Sequence, residues 1–306
     1  MNAELLPPSG FDLTALRAEQ GFRPTHRALE NAGLVVAPEI DLASGKAWDT
    51  VLVLAHRNRL VNQRNLTRAW NALKPGGQVV FCGAKTHGVQ PLRKWAQKRT
   101  DLSGSLSKHH AIVFWLTKQG TNWPLEDYPP ADHGYRVAPG MFSAKGPDTG
   151  SQVLVPHLAD KLKGHGADFG AGWGFLSDQA LRTNSLIAGI DLFEADHASL
   201  DAARHNISPV EGLTLNFHWC DMAAEQPKGR HYDWIIMNPP FHTGRAAEPA
   251  LGNTFIEAAS RTLRPGGRLF MVANINLPYE AALERGFRKA ERIDQAKGFK
   301  VFEAIR

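Results

Sequence analysis

The stretch "DFGAGWG", residues 168–174, sets glycine at 170, 172 and 174, between a short predicted strand ending at Asp168 and a predicted helix running to about residue 181. Without a Cβ, each glycine lets the backbone turn sharply and pass close to a ligand. The helix that follows points its free N-terminal amides at whatever lies above the loop. A dinucleotide fingerprint requires G-x-G-x-x-G, and here the third glycine comes one place early. The loop therefore suits a nucleoside-type ligand better than a pyrophosphate. A tight turn with no ligand is the competing reading, so the neighbouring residues have to decide.

Around this loop the chain alternates strand and helix signals. A helix is predicted at about 152–162, then the strand ending at Asp168, the helix to 181, a strand "LIAGIDLF" (186–193), a helix near 197–205, a strand "LTLNFHWC" (213–220) and a strand "YDWIIM" (232–237). Such alternation is the pattern of an α/β fold with a largely parallel sheet, whose ligands bind beyond the carboxyl ends of the strands. Acids stand at those ends. Glu194, twenty residues after Gly174, is placed to accept from both hydroxyls of a ribose. Asp191 is its rival, but a position inside the strand favours a structural role. Asp221 closes the third strand and suits the amino group of an adenine. Each acid alone serves equally well as a helix N-cap. With Asp168 they form a row that fits a purine nucleoside.

The fourth strand runs into "MNPPFH" (237–242). Asn238 offers a side-chain carbonyl and Pro239 a backbone carbonyl, two acceptors able to hold both hydrogens of an NH2 group so that its lone pair points one way. Phe241 is placed to stack on the planar system that bears the amine. A proline-rich turn with Phe241 returning to the core is the alternative.

The remaining composition narrows the class. A chain of 306 residues with 43% hydrophobic content can bury a sizeable core, and its length suggests two domains. Cys82 and Cys220 are the only cysteines, which excludes a disulfide framework and fits a reducing cytoplasm. The start lacks a basic segment followed by an apolar core, and no apolar run approaches the roughly eighteen residues that cross a bilayer. No membrane partner is expected. Thirteen histidines show no CxxC, HExxH or comparable spacing, so no metal is expected, and His109-His110 reads as a strand-edge or surface feature. Charge is divided unevenly. Residues 1–150 hold 18 Lys+Arg against 12 Asp+Glu, and 151–306 hold 17 against 18. The basic excess lies in the first half, in "HRNRLVNQRNLTR" (56–68) and "RKWAQKR" (93–99), with Trp70 and Trp95 close by. A phosphate-docking surface uses such clusters, as does the solvated face of an ordinary helix.

One architectural unit occurs twice. "WDTVLV" (48–53) matches "YDWIIM" (232–237), "LKPGGQVVF" (73–81) matches "LRPGGRLFM" (263–271), and "SKHHAIVFWL" (107–116) matches "AKGFKVFEAI" (296–305), at offsets of 184, 190 and 189. Three matches in the same order predict two related domains. Counting back from Gly170 by these offsets gives a negative number, so the first copy has no room for a glycine loop and one cofactor site is expected. "QGTNWPLEDYPPADHGYR" (119–136) reads as the linker, with a degenerate domain at 1–118 and the catalytic one at 137–306.

The loop, the strand-end acids and "NPPF" resemble class I S-adenosylmethionine-dependent methyltransferases that modify exocyclic or amide nitrogen. With "PGMFSAKGPDTGSQVLVPHL" (139–158), "YDWIIMNPPFHTG" (232–244), "LRPGGRLFMVAN" (263–274) and the closing "GFKVFEAIR", the resemblance is to the bacterial ribosomal RNA small-subunit methyltransferase C (RsmC) family, the guanine-N2 enzymes. It spans nearly all of 139–306 and is architectural over 1–118. It implies two Rossmann-like methyltransferase domains in tandem, the N-terminal one degenerate and here short, and S-adenosyl-L-methionine as cofactor with S-adenosyl-L-homocysteine as product. The implied partner is ribosomal RNA or a ribosomal subunit. By resemblance, Asp168, Gly170, Gly172 and Gly174 flank the methionine part of the cofactor, Glu194 holds the ribose and Asp221 the adenine. Asn238, Pro239, Pro240 and Phe241 then face the target guanine, with Asn238 beside the cofactor, while Asp148 and Phe142 close over cofactor or substrate. A large-subunit guanine methyltransferase, a glutamine-amide protein methyltransferase and a non-catalytic RNA-binding protein remain as rivals.

Overall fold

The computed structural model describes residues 12–41, 47–125, 133–209, 211–229, 231–240 and 249–306. Its contacts group residues 12–39 with 133–137 and 141–306 in one unit, and 40–125 with 138–140 in the other. The boundary read at residue 118 counts the leading segment with the first unit. Its contacts assign it to the second. It forms β1 (Arg17–Glu19), α1 (Arg23–Asn31) and β2 (Val35–Ala37), with β1 and β2 parallel. Pro24 sits in the first turn of α1, where its missing N–H leaves no bond unmade.

The smaller unit comprises β3 (Trp48–Leu54), α2 (Arg59–Ala72), β4 (Leu73–Ala84), α3 (Val89–Gln97), β5 (Gly104–Lys108) and β6 (Ala111–Thr117). Its sheet has the order β3-β4-β6-β5. Asn58 caps α2 by accepting from the amides of Leu60 and Val61. Leu66, Trp70 and Leu92 from the helices cover one face, packing with Val79, Phe81, Phe114 and Leu116. Strand periodicity sends Leu52, Leu54 and Leu106 to the other face, where all three are exposed. Trp70 is 1% exposed and stacks on Trp123 at 4.5 Å, so it is a core residue and offers no ring to a nucleic acid. Trp95 is only partly buried, with the Arg99 guanidinium 3.7 Å over its ring.

The larger unit continues with α4 (Thr149–Leu154), β7 (Gly164–Phe169), α5 (Phe175–Thr183), β8 (Ile187–Glu194), α6 (His197–Asn206), β9 (Thr214–Trp219) and β10 (Tyr232–Met237). It ends with α7 (Pro249–Thr262), β11 (Leu263–Asn274), α8 (Glu280–Gly286), β12 (Lys289–Ala296) and β13 (Phe299–Ile305). The seven-stranded order is β12-β13-β11-β10-β7-β8-β9, and β13 runs antiparallel to both its neighbours. The helix read at 152–162 starts earlier and is shorter. Asp148 caps α4, and Pro156, which has no N–H to donate, falls in the 3-10 turn Val155–His157 that follows. From β7 the chain moves to β8 on one side, and later returns to β10 on the other. That change of direction opens a crevice at the carboxyl edge between β7 and β10.

The duplication is visible strand by strand. The order β3-β4-β6-β5 repeats as β10-β11-β13-β12, with α2 matched by α7 and α3 by α8. Even the irregularities coincide. Trp48 pairs with Leu73 and Thr50 with Gln78; Tyr232 pairs with Leu263 and Trp234 with Arg268. Each Pro-Gly-Gly is therefore an excursion at the start of a strand, with Gly76 and Gly266 both at φ 78. The third offset needs correction. His109 and His110 (φ 48 and 58) occupy the two-residue turn between β5 and β6 that Lys297 and Gly298 (φ 51 and 80) occupy between β12 and β13, which fixes the offset at 188. The histidine pair is a hairpin tip. Both cysteines are free. Among the described residues, no helix is long and apolar enough to cross a membrane, and no cluster of side chains is suited to a metal ion.

Candidate active site

β7 is the central strand, flanked by β8 and β10, and Ala167, Asp168 and Phe169 are wholly buried in it. The glycine loop leaves its carboxyl end with Gly170, Gly172 and Gly174 all at positive φ (77, 55 and 88). The three differ in surroundings. A Cβ on Gly174 would lie 3.1 Å from Ala203 and 3.2 Å from Ile207, so this glycine serves the packing of the loop onto α6. A Cβ on Gly172 would meet nothing within 4 Å. The space in front of Gly172 is open.

Glu194 ends β8 and grips the loop. Its Oε2 accepts from the Gly172 amide at 2.8 Å and its Oε1 from the Asp196 amide at 2.8 Å. Burial pushes its carboxyl up, and those amides oppose the shift. Asp168, beneath the loop, accepts from Ser177 Oγ at 2.7 Å through Oδ2, while its Oδ1 is buried without a partner. Burial pushes this carboxyl up to about 7, with Ser177 opposing and the charge of Glu194 adding to it. An orphaned carboxylate oxygen under an open glycine loop is the acceptor a ligand's ammonium or amide needs. Asp221 follows β9. Its Oδ1 accepts from the Ala223 amide at 3.0 Å, and its Oδ2 from Arg27 at 3.2 Å.

Asn238 follows β10. Its Nδ2 donates to Asp148 Oδ2 at 2.8 Å and to Ser151 Oγ at 3.0 Å. Because the amide's two hydrogens are engaged, its carbonyl is the end left for a substrate. Asp148 is held by its own cap contact with the Ser151 amide at 3.0 Å. Pro239 is buried and Pro240 exposed. Phe241 lies outside the described residues. Asp148, Ser151, Gly170, Gly172 and Asn238 line one cleft, together with Trp173 and with Phe142, which is 58% exposed. Trp173 Nε1 donates to the Phe142 carbonyl at 2.9 Å, tying the segment before α4 to the glycine loop. Asp168, Glu194 and Asp221 do not line that cleft. Glu194 reaches it through Gly172, and Glu194 and Asp221 stand on adjacent strand ends joined by the Cys220 amide donating to the Glu194 carbonyl at 3.0 Å.

Asp191 is structural. Burial would raise its carboxyl, but His218, Asn216, Tyr232 and His165 around it outweigh that and hold it low. Ser151, Ser177 and Trp173 are the site residues that sequence reasoning missed. Ser151 stands three places after a capping aspartate, a usual helix start, so nothing marked it as a partner of Asn238.

A seven-stranded open sheet with one antiparallel strand, a glycine loop after its central strand, an acid ending the next and an Asn-Pro-Pro stretch after β10 define a class I methyltransferase. Residues 134–303 match the model of the methyltransferase small domain family. Ribosomal RNA small subunit methyltransferase C of Salmonella choleraesuis is 37% identical over 277 residues, 89% of this chain and 79% of that one. The enzyme of that name from Sodalis glossinidius is 30% identical over 285 residues, covering 91% and 80%. The chain belongs to the ribosomal RNA small subunit methyltransferase C family. The solved structure of the Thermus thermophilus 16S rRNA N2 G1207 methyltransferase, in complex with AdoMet and guanosine, superposes with a TM-score of 0.81 at 26% identity, over 95% of this chain and 82% of that one.

Proposed function

We propose that this chain transfers a methyl group from S-adenosyl-L-methionine to the exocyclic N2 amine of a guanine in 16S ribosomal RNA. The observation that carries the reading is the fixed amide of Asn238, its NH2 held by Asp148 and Ser151, in the same cleft as the open glycine loop. The residues fit the cofactor. Asp168 Oδ1 lacks a partner that an ammonium would supply, Gly172 leaves room for the cofactor's methionine chain, and Glu194 and Asp221 present carboxylates for ribose and adenine.

When bound, S-adenosylmethionine supplies a methyl group activated by its sulfonium sulfur. The protein's part is alignment, which is worth up to roughly 7–11 kcal/mol in favourable cases. The Asn238 and Pro239 carbonyls accept the two hydrogens of the guanine amine and leave its lone pair pointing at the methyl. They also favour the positive charge that the nitrogen gains, and its proton is then lost to water. A guanine within a helix has to be extruded, at a cost of a few kcal/mol, and stacking on Phe241 offsets part of it.

The smaller unit grips RNA phosphates without reading bases. Residues 51–100 hold ten Lys+Arg and no acid, and Arg57, Arg59, Lys94, Lys98 and Arg99 are exposed. The site of action is the bacterial cytoplasm, on a ribosomal particle.

Small subunits from cells lacking the gene, incubated with the protein and cofactor labelled in the methyl group, test this. Nuclease digestion is expected to release the label as N2-methylguanosine of 16S RNA. Label in 23S RNA, or label released only by protease, contradicts the reading.

A further inference from the structure

The segment Gly21–Arg27 touches both loops that carry the acids assigned to the nucleoside half of the cofactor. On the Glu194 side, the Arg23 amide donates to the Ala195 carbonyl at 2.8 Å, the His197 amide donates to the Gly21 carbonyl at 2.9 Å, and Phe22 forms an antiparallel bridge with Asp196. Trp219 Nε1 donates to the carbonyls of Gly21 (3.0 Å) and Ala195 (2.9 Å), so one ring fastens the segment to that loop. On the Asp221 side, Arg23 forms a two-point ion pair with Glu225, Nη2 to Oε1 at 2.6 Å and Nε to Oε2 at 2.9 Å, with its guanidinium 5.0 Å over Trp219. Glu225 Oε2 in turn accepts from the Asp221 amide at 2.9 Å. Arg27 reaches the Asp221 carboxylate itself, Nη1 to Oδ2 at 3.2 Å.

The geometry points to Arg27 and Arg23 as positioning residues for the adenine end of the cofactor, Arg27 by orienting the Asp221 carboxylate and Arg23 by holding its loop through Glu225. This inference rests on the reading of Asp221 as the acceptor of the adenine amine. Arg27 takes Oδ2 and the Ala223 amide takes Oδ1, which fixes the plane of the carboxylate, and each oxygen keeps a lone pair for the 6-amino group. The side chains of Arg27 and Asp221 are 31% and 15% exposed, a partly dry setting in which a charge-assisted bond holds its geometry. A brace of this kind acts on recognition of the 6-amino group more than on overall stability.

The test compares S-adenosylhomocysteine with S-inosylhomocysteine, which carries a 6-oxo group in place of the amine, by calorimetry on the full chain. Wild type is expected to prefer the amino compound. Arg27→Ala is expected to bind it about tenfold more weakly and to lose most of that preference, with partial recovery in Arg27→Lys. Arg23→Ala is expected to show a smaller loss of the same kind. Arg27→Gln keeps part of the aliphatic stem and a polar end while removing the charge, and is used if the alanine variant does not fold. Retention of both affinity and preference by the Arg27 variants overturns the inference, and so does equal weakening of the two ligands together with a lower melting temperature. A wild-type protein that binds neither ligand overturns the cofactor reading itself, and this inference with it.

Discussion

Asn238 and Asp148 lie ninety positions apart in the sequence, yet the amide nitrogen of one donates to the carboxylate of the other at 2.8 Å. The pairing turns an amide with two equivalent-looking ends into a directed acceptor. Asp148→Ala frees the Asn238 amide to rotate and is expected to slow methyl transfer about ten- to hundredfold, with a stability loss of about 1 kcal/mol from the missing helix cap. Asp148→Asn keeps an acceptor oxygen and is expected to retain most of both. Rapid-quench transfer assays and thermal melts on the two variants check this.

Asp168 makes stability depend on pH. Its folded carboxyl titrates near 7 against an ordinary value of 3.8, so the folded state holds an extra proton between those values and loses stability as pH climbs through them. Asp168→Asn removes this loss and is expected to stabilise the ligand-free protein at pH 8 by on the order of 4 kcal/mol, while weakening cofactor binding. Melting curves from pH 4 to 8 are the measurement. A wild-type curve that is flat across that window contradicts the assignment.

Gly172 and Gly174 separate binding from packing. Alanine at 174 combines a left-handed backbone with a tight contact on α6, and is expected to cost roughly 1–3 kcal/mol of stability. Alanine at 172 meets open space, so its expected cost is about 1 kcal/mol of backbone strain, with a disproportionate loss of cofactor affinity. Denaturant melts and calorimetry on both variants distinguish the two roles.

The smaller unit is expected to govern RNA affinity without touching cofactor affinity. Replacing Arg57 and Arg59, both exposed, by alanine is expected to lower the slope of log affinity for RNA against log salt by about 2. Filter binding at several salt concentrations measures it. An unchanged slope assigns those arginines to the solvated surface.

The α/β class, the repeat and the glycine loop were legible because they rest on local patterns: strand-helix alternation, Pro-Gly-Gly at matching places, and glycines where φ turns positive. What escaped depends on distance in the chain. Trp70 looked available beside its arginines, but Trp123, from the presumed linker, stacks on it. The partner of Asn238 sits in a helix start that reads like any other. The leading βαβ carries no signal that its arginines meet Asp221 and Glu225 some two hundred residues later. The one-residue error in the third offset arose because Lys-Gly and His-His fill the same turn, and matching letters cannot align them.

Single-turnover methyl transfer by Asn238→Ala, run alongside calorimetry of S-adenosylmethionine on the same preparation, decides whether donor and amine meet at this rim. The expected result is cofactor affinity within about threefold of wild type and a transfer rate lower by roughly 10²–10³. A variant that binds the cofactor normally and methylates 16S RNA at the wild-type rate contradicts it.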